Sequence, residues 1–177
     1  MVQASKGRAP RRSSACCSGL QGLLSPRLFK GLIGNLPVEN GSVDWVISNC
    51  VINLSPEKTK VFREIARVLK PGGRMLVSDI VARDLPDEVR EVADLYSSCI
   101  SGAISEEEYL AGLREAGLVD VEVRDRLVYD AEQLEGIAAS DLGSLCSCAE
   151  GKTQLLSAAR SLAGRVWSAK VYARKPA

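Results

Sequence analysis

The sequence contains two apolar runs, at residues 43–48 and 75–81, separated by a stretch with helical periodicity. In that stretch Val61, Phe62 and Ile65 recur at the spacing of one helix face, and Lys and Arg residues occupy the opposite face. A buried strand, a helix and a second buried strand within about 40 residues are typical of a parallel βαβ unit. Because such crossovers join neighbouring parallel strands, the pattern predicts an α/β fold.

The ends of the crossover helix are indicated by residues with strong local preferences. Ser55 followed by Pro56 predicts the helix start, with serine as N-cap and proline at the first helical position. The run Pro71-Gly72-Gly73 predicts the turn that ends the helix, since neither proline nor paired glycines continue one. The second strand is therefore expected to begin after Gly73.

Two more helices are predicted after the second strand. Leu85 followed by Pro86 opens a helical stretch that runs towards Ile100. Ser105 opens another, which ends near Gly117, where glycine suits the residue after a helix.

Two stretches of alternating apolar residues, at 119–123 and 166–173, predict two further strands. They can pair as an antiparallel hairpin at the edge of the sheet, on either side of a less regular segment at 129–164. The pattern thus adds a small α+β extension to the βαβ unit.

The chain divides into three segments by composition and periodicity. Residues 1–27 are rich in Gly, Ser and Arg and show no periodicity, which predicts a disordered or unrelated leader. Residues 28–128 carry the α/β unit, and residues 129–177 form an extension that returns an edge strand. The leader is basic and has no acidic residue, so an organelle transit peptide is an open alternative, but it lacks the apolar core of a secretory signal.

The charge balance excludes some classes of partner. The chain has 23 Lys and Arg against 22 Asp and Glu, a net charge of +1, which offers no bulk field for nucleic acid or anionic lipid. A run of about 18 apolar residues would be needed to span a membrane, and the sequence has none. We expect a cytoplasmic protein that binds neither nucleic acid nor membranes.

The six cysteines are predicted to be thiols, because a chain without a signal peptide and with apolar strands does not depend on disulfides. The sequence has no histidine, which excludes Ser-His and Cys-His nucleophile pairs. Cys50 follows the first buried strand, at the sheet edge where ligands bind in open α/β folds. The positive end of a helix starting near Pro56 would lower the pKa of that thiol.

Three short motifs resemble class I S-adenosylmethionine-dependent methyltransferases. They are Leu36-Pro37, the run Ser42-Val43-Asp44 before the first strand, and the sequence RVLKPGGR at 67–74. In combination they are similar to the second half of that fold. The resemblance implies a Rossmann-like sheet and the cofactor S-adenosylmethionine.

Further segments are similar to arsenite methyltransferases in particular. They are ISNCVINLSP at 47–56, LYSSCISGA at 95–103 and SAKVYARKP at 168–176. The resemblance covers roughly residues 28–177, that is, the C-terminal portion of the family. It implies methyl transfer to As(III) or its thiol conjugates, with a thiol reductant as partner.

The resemblance also implies roles for individual residues. Cys50 and Cys99 would be the catalytic thiolates and the ligands of the As(III) substrate, which agrees with the preference of soft ions for thiolates. Ile33 and Asn49 would be remnants of the cofactor pocket. The arsenic lone pair would attack the methyl carbon in line, so that positioning does most of the catalysis and no general base is required.

Several features depart from the family pattern. No glycine-rich turn after a first strand and no following acidic residue precede Ile33, and Gly34 stands where relatives usually carry an acidic residue. The sequence therefore predicts a truncated domain that lacks its N-terminal half, with an incomplete cofactor site and an exposed edge on the strand at 43–48.

Alternatives remain for the function and for the cysteines. The chain can be a non-catalytic half-domain that binds As(III) or another thiophile, or a different small-molecule methyltransferase. Cys50 and Cys99 can be inert buried thiols, and Cys146 with Cys148 is a second candidate thiol pair.

Overall fold

The computed structural model describes residues 3–5, 28–85, 100, 102–142 and 160–177. Its strands are β1 (Gln3–Ser5), β2 (Val43–Asn49), β3 (Leu69–Ala82), β4 (Val119–Val128) and β5 (Val166–Arg174). Its α-helices are α1 (Lys58–Val68), α2 (Glu106–Glu115) and α3 (Ala131–Leu142), and a 3-10 helix spans Ile52–Leu54. Within these residues no helix is long and apolar enough to cross a membrane.

The described strands form one mixed sheet in the order β1-β2-β3-β5-β4. Strands β2 and β3 are parallel neighbours joined through α1, which confirms the predicted βαβ unit. Strand β5 pairs antiparallel with both β3 and β4. The predicted pairing of the last two strands is thus observed, but β5 lies inside the sheet and β4 takes the edge. In agreement with this placement, most of β5 is buried and most of β4 is exposed.

Both predicted boundaries of the crossover helix were wrong by a few residues. Helix α1 starts at Lys58 with Glu57 as its N-cap, because Ser55 instead closes the preceding 3-10 turn by donating its N–H to Ile52 O at 3.0 Å. At the other end β3 already begins at Leu69. The proline-glycine run after it forms a bulge inside β3, across which the register with β2 shifts. Gly72 adopts φ +74°, which glycine accommodates without a Cβ clash.

Helices α1 and α2 cover one face of the sheet and form the first core cluster with β3 and β5. The rings of Phe62 and Tyr109 meet edge to face, with centroids 5.0 Å apart. Gly112 permits this approach, since a Cβ there would stand 2.7 Å from the Phe62 ring. The two helices are therefore packed directly on each other as well as on the sheet.

The opposite face is covered at one end by a second cluster, which consists of Ile80, Ala82, Leu85, Ile100, Ala103, Leu134, Leu162 and Val166. At the other end of that face the side chains of Ile47 and Leu76, paired in register, are 51% and 38% exposed. The side chains that cover this face of the sheet therefore lie mainly at the carboxyl ends of β2 and β3.

Two segments differ from the sequence expectations. Gln3–Ser5, within the predicted leader, form β1 and pair antiparallel with β2, along the edge that was expected to be exposed. Helix α3 begins in the segment predicted to be less regular. Helix α2 agrees with its prediction, with Ser105 and Glu108 as a capping box and Gly117 at φ +88° after its end. The helix predicted from Leu85 towards Ile100 falls almost wholly outside the described residues, and the three-segment division of the chain stays a prediction.

Candidate functional site

Cys50 is the first residue after β2 and marks a sharp change in chain direction. Its φ is +52°, in the left-handed region that residues with a Cβ rarely adopt. Its N–H donates to Ser78 O of β3 at 2.9 Å, which fixes the backbone at the carboxyl edge of the sheet. The side chain is half-buried and packs against the second cluster. Cys50 therefore lies at the carboxyl edge of the sheet, as its position after a buried strand predicted.

The segment that follows, residues 50–54, is called here the thiol loop, and its anchor is Asn53. This side chain is fully buried, and its Nδ2 donates to Ile80 O of β3. Lys58 Nζ donates to Asn53 O at 3.3 Å and to Ser55 O at 3.2 Å. The thiol loop is consequently tied both to β3 and to the start of α1.

Beneath the thiol loop lies a buried carboxyl group, that of Asp79 in β3. Tyr109 of α2 donates its hydroxyl to Asp79 Oδ2 at 3.3 Å, and the N–H groups of Ile80 and Asn53 also donate to this carboxylate. Burial raises the pKa of Asp79 to about 6, against the smaller opposing effect of these hydrogen bonds. The pKa of this carboxyl group therefore lies well above the usual value for an aspartate.

The charge of Cys50 contributes to the pKa values of two tyrosines, Tyr109 and Tyr129. Burial raises the pKa of Tyr109 well above its usual value, and the charges of Asp79 and Cys50 add to the effect. Burial also raises the pKa of Tyr129, and the charge of Cys50 contributes next. Tyr109 belongs to the first core cluster and Tyr129 packs against the second. The charge of Cys50 thus acts on one tyrosine of each cluster, although the thiol itself packs against the second cluster.

The side chain of Tyr129 belongs to a short row of hydrogen-bonded hydroxyl groups. It is hydrogen-bonded to Ser168 of β5, whose Oγ lies 3.1 Å from Ser78 Oγ of β3. Two backbone hydrogen bonds of 3.1 Å, to Val166 O and from Gly164 N–H, hold Tyr129 in place. These hydroxyls could not be predicted from the sequence, because their proximity depends on the β3–β5 pairing, which brings together Ser78 and Ser168, 90 positions apart.

Cys99 lies outside the described residues, but the chain on its carboxyl side is described. Ile100 is buried in the second cluster, the same cluster that Cys50 packs against. Gly102 presses on the thiol loop, since a Cβ added there would lie 2.2 Å from Asn53 O. A glycine is needed at such a close approach of two backbones. The described end of the second predicted cysteine segment therefore contacts the thiol loop.

The two predicted cofactor residues occupy different surroundings. Asn49 ends β2, is exposed and pairs in register with Ser78, so its amide is available at the carboxyl edge. Ile33 lies in a tight turn closed by the hydrogen bond from Asn35 N–H to Leu32 O at 2.9 Å, and it packs against the first core cluster. The structure brings Asn49 next to Cys50, whereas the observed packing of Ile33 is against a different cluster from that of Cys50.

The turn that carries Ile33 is attached to α1 by an ion pair. Glu64 Oε1 accepts from Leu36 N–H at 2.6 Å and from Arg67 Nη2 at 2.6 Å, and Arg67 also donates to Leu36 O. The hydrogen bond from Arg67 lowers the pKa of the Glu64 carboxyl, although burial opposes the shift. Near neutral pH the ionised Glu64 carboxylate therefore attaches the turn that carries Ile33 to α1.

Comparisons with known proteins agree with this geometry. A family model described as Methyltransferase domain matches residues 26–117, more than half of the chain. The arsenite methyltransferase of Halobacterium salinarum is 48% identical over 94 residues, which are 52% of this chain and 24% of that protein. That of Aquipseudomonas alcaligenes is 43% identical over 99 residues, 55% of this chain and 28% of that protein. The chain thus spans about a quarter of the length of these relatives.

A solved structure extends the match to most of the chain. The arsenic(III) S-adenosylmethionine methyltransferase of Chlamydomonas reinhardtii superposes with a TM-score of 0.61 and 31% identity, over 82% of this chain and 43% of that one. The predicted resemblance to arsenite methyltransferases and the predicted fold class are confirmed. With the family model and the βαβ unit in agreement, the chain belongs to the methyltransferase domain family and has part of the class I methyltransferase sheet.

Proposed function

We propose that this chain serves S-adenosylmethionine-dependent methyl transfer to thiol-bound As(III), with Cys50 and Cys99 as the arsenic ligands. The observation that carries the proposal is the packing at the end of β2. Cys50 projects from a left-handed turn there, and the chain that follows Cys99 presses against the same loop through Gly102. Two thiols from these segments are the donor set that a soft trivalent ion prefers.

The surroundings of Cys50 suit the binding of a thiophile. The thiol is half-buried and packs against the second cluster, as Tyr129 does. The raised pKa of Tyr129 keeps its hydroxyl protonated, and the charge of Cys50 contributes to that rise. A protonated hydroxyl can donate a hydrogen bond to a thiolate or to a hydroxyl group on arsenic. The same environment would accept the thiol conjugates of As(III), with a cellular thiol as reductant.

S-adenosylmethionine, when bound, supplies an electrophilic methyl group to the arsenic lone pair. The residues of this chain fit that cofactor in part. Asn49 offers an exposed amide at the carboxyl edge of β2, and Ile33 lies in a turn fixed to α1 through Glu64. In this proposal the turn at Ile33 lies on the adenine side of the cofactor, and Asn49 offers its amide to the cofactor. Because the glycine-rich turn is not in this sequence, we propose that the chain by itself forms an incomplete cofactor site in a cytoplasmic protein.

Two alternatives follow from the same site. A half-domain that binds As(III) without methylating it would keep the thiol pair and lose the cofactor. A methyltransferase for another small molecule would keep a cofactor site and have no need of two converging thiols. The close approach of Gly102 to Asn53 favours the arsenic assignments over the second alternative.

The test is the uptake of phenylarsine oxide, which offers two exchangeable positions on arsenic. We expect one equivalent per chain, and we expect Cys50→Ser and Cys99→Ser each to abolish chelated binding, because a single thiol loses the effective concentration of the pair. The double variant Cys146→Ser with Cys148→Ser is the matched control and should bind normally. Retained uptake in both single variants, with loss in the double variant, would place the site in the Cys146 segment.

A further inference from the structure

Asp79 is a carboxyl group inside an otherwise apolar stretch of β3. Met75, Val77 and Val81 share its sheet face and are fully buried, as Asp79 is. A buried carboxylate is costly unless hydrogen bonds stabilise it, so the position of its donors matters. The methyl-transfer chemistry proposed above makes no use of this group.

The donors to Asp79 come from three separate elements. Asn53 N–H belongs to the thiol loop, the Tyr109 hydroxyl to α2 and the Ile80 N–H to β3 itself. A single carboxylate therefore connects the loop that carries Cys50 with the helix that packs on α1. Lys58 lies close enough for its charge to favour the ionised form.

The hydrogen bond between Asp79 and Asn53 affects the position of Asn53, which also contacts Gly102 and Ile80. Asn53 O is the atom against which Gly102 packs, and Asn53 Nδ2 is bonded to Ile80 O. A shift of Asn53 would move the thiol loop relative to Gly102, and hence relative to the chain that follows Cys99. Side chains that meet in a buried hydrogen-bonded network act as a unit, so loss of one member propagates to the others.

We infer that Asp79 is a positioning residue for the arsenic site, and that its carboxylate, through Asn53, fixes the thiol loop that carries Cys50 against Gly102. The inference rests on the proposed function, which it extends from the thiols to the group that orients them. Asp79 acts through Asn53 and does not touch the substrate. Tyr109 has the supporting role of fixing one oxygen of the carboxylate.

The experiment measures two quantities: the release rate of a chelated arsenical, which depends on both thiols, and the alkylation rate of Cys50, which depends on one thiol. Intact chain, Asp79→Asn and Tyr109→Phe are loaded with phenylarsine oxide, and its release to a competing dithiol is timed. In parallel, the alkylation rate of Cys50 by iodoacetamide is measured without arsenic. The matched control is Asp125→Asn, the same change in an exposed carboxylate of β4 that pairs with Lys170 of β5.

We expect Asp79→Asn to release the arsenical roughly tenfold faster, equivalent to about 1.4 kcal/mol, while Cys50 alkylation stays within a few-fold of the intact chain. Tyr109→Phe keeps the ring packing and the carboxylate and should show a smaller acceleration, which preserves the test if Asp79→Asn does not fold. Asp125→Asn should match the intact chain.

The two ways of failing are distinguishable. Release from Asp79→Asn and Tyr109→Phe at the rate of the intact chain would overturn the positioning role and leave the thiol site standing. If the intact chain itself held phenylarsine oxide no more tightly than Cys50→Ser does, the proposed function would fail and the inference with it.

Discussion

The Cα of Gly102 faces the carbonyl of Asn53 so closely that a Cβ on Gly102 would stand 2.2 Å from Asn53 O. The contact joins the segment after Cys99 to the loop after Cys50 through backbone atoms, which cannot move aside as a flexible side chain can. Everything proposed for the arsenic site depends on this approach.

Gly102→Ala should separate the two segments. We expect a loss of stability of about 1–3 kcal/mol and weaker chelation of phenylarsine oxide, because the added methyl group collides with backbone. Gly136→Ala is the control, since a Cβ there meets nothing within 4 Å. Urea unfolding with arsenical binding checks both variants, and normal chelation by Gly102→Ala would show that the two segments need not touch.

The pKa of Asp79, raised to about 6 by burial, predicts a pH dependence of stability. The folded state holds this proton more tightly than the unfolded state, so the contribution to stability is greatest at low pH and is lost as pH rises through about 6. Over the range from about pH 4 to pH 6 the loss is about 3 kcal/mol. The free energy of unfolding of Asp79→Asn should lack this decline, and an identical pH profile in variant and intact chain would contradict the assignment.

Glu64→Gln should loosen the turn that carries Ile33. The pKa of Glu64 is lowered, so its stabilising effect is present above its unfolded value near 4.5 and is lost as pH falls through the folded value. At pH 7 we expect a cost of about 1–3 kcal/mol, because a buried carboxylate that accepts three hydrogen bonds, from Leu36 N–H and from Arg67 Nε and Nη2, is replaced. Glu57→Gln, in the exposed pair with Lys60, should change stability by less than about 1 kcal/mol.

Cofactor binding by the chain alone should be weak. If, as proposed, Ile33 and Asn49 are the cofactor contacts that this chain supplies, we expect a dissociation constant for S-adenosylmethionine above about 1 mM. A micromolar site would correspond to a binding free energy of roughly 8 kcal/mol. Calorimetry on the purified chain measures it. A micromolar constant would mean that residues 1–30 contribute a cofactor site that their sequence does not indicate.

The βαβ unit could be predicted because two apolar strands and an amphipathic helix carry clear periodicities. The start of α1 could not, since Ser55 and Pro56 are as suitable for closing a 3-10 turn as for opening a helix. Three residues such as Gln3–Ser5 are too few to show any period, so their pairing with β2 was not foreseen.

Only the part of the candidate site that follows from local sequence patterns could be predicted. Cys50 could be placed from its position after a buried strand. The hydrogen bond between Tyr109 and Asp79 joins residues 30 positions apart and exists only once α2 packs on the sheet. The one signal in the sequence was a lone carboxyl group in the apolar run at 75–82, which marks a buried polar residue in need of partners.

The central claim is that one trivalent arsenic is held jointly by Cys50 and Cys99. The most direct measurement is protection mapping: the intact chain is saturated with phenylarsine oxide, alkylated with iodoacetamide, digested and analysed by mass spectrometry. The account predicts that Cys50 and Cys99 escape alkylation together while Cys16, Cys17, Cys146 and Cys148 are modified. Alkylation of Cys50 in the arsenic-loaded chain, with protection confined to Cys146 and Cys148, would contradict it.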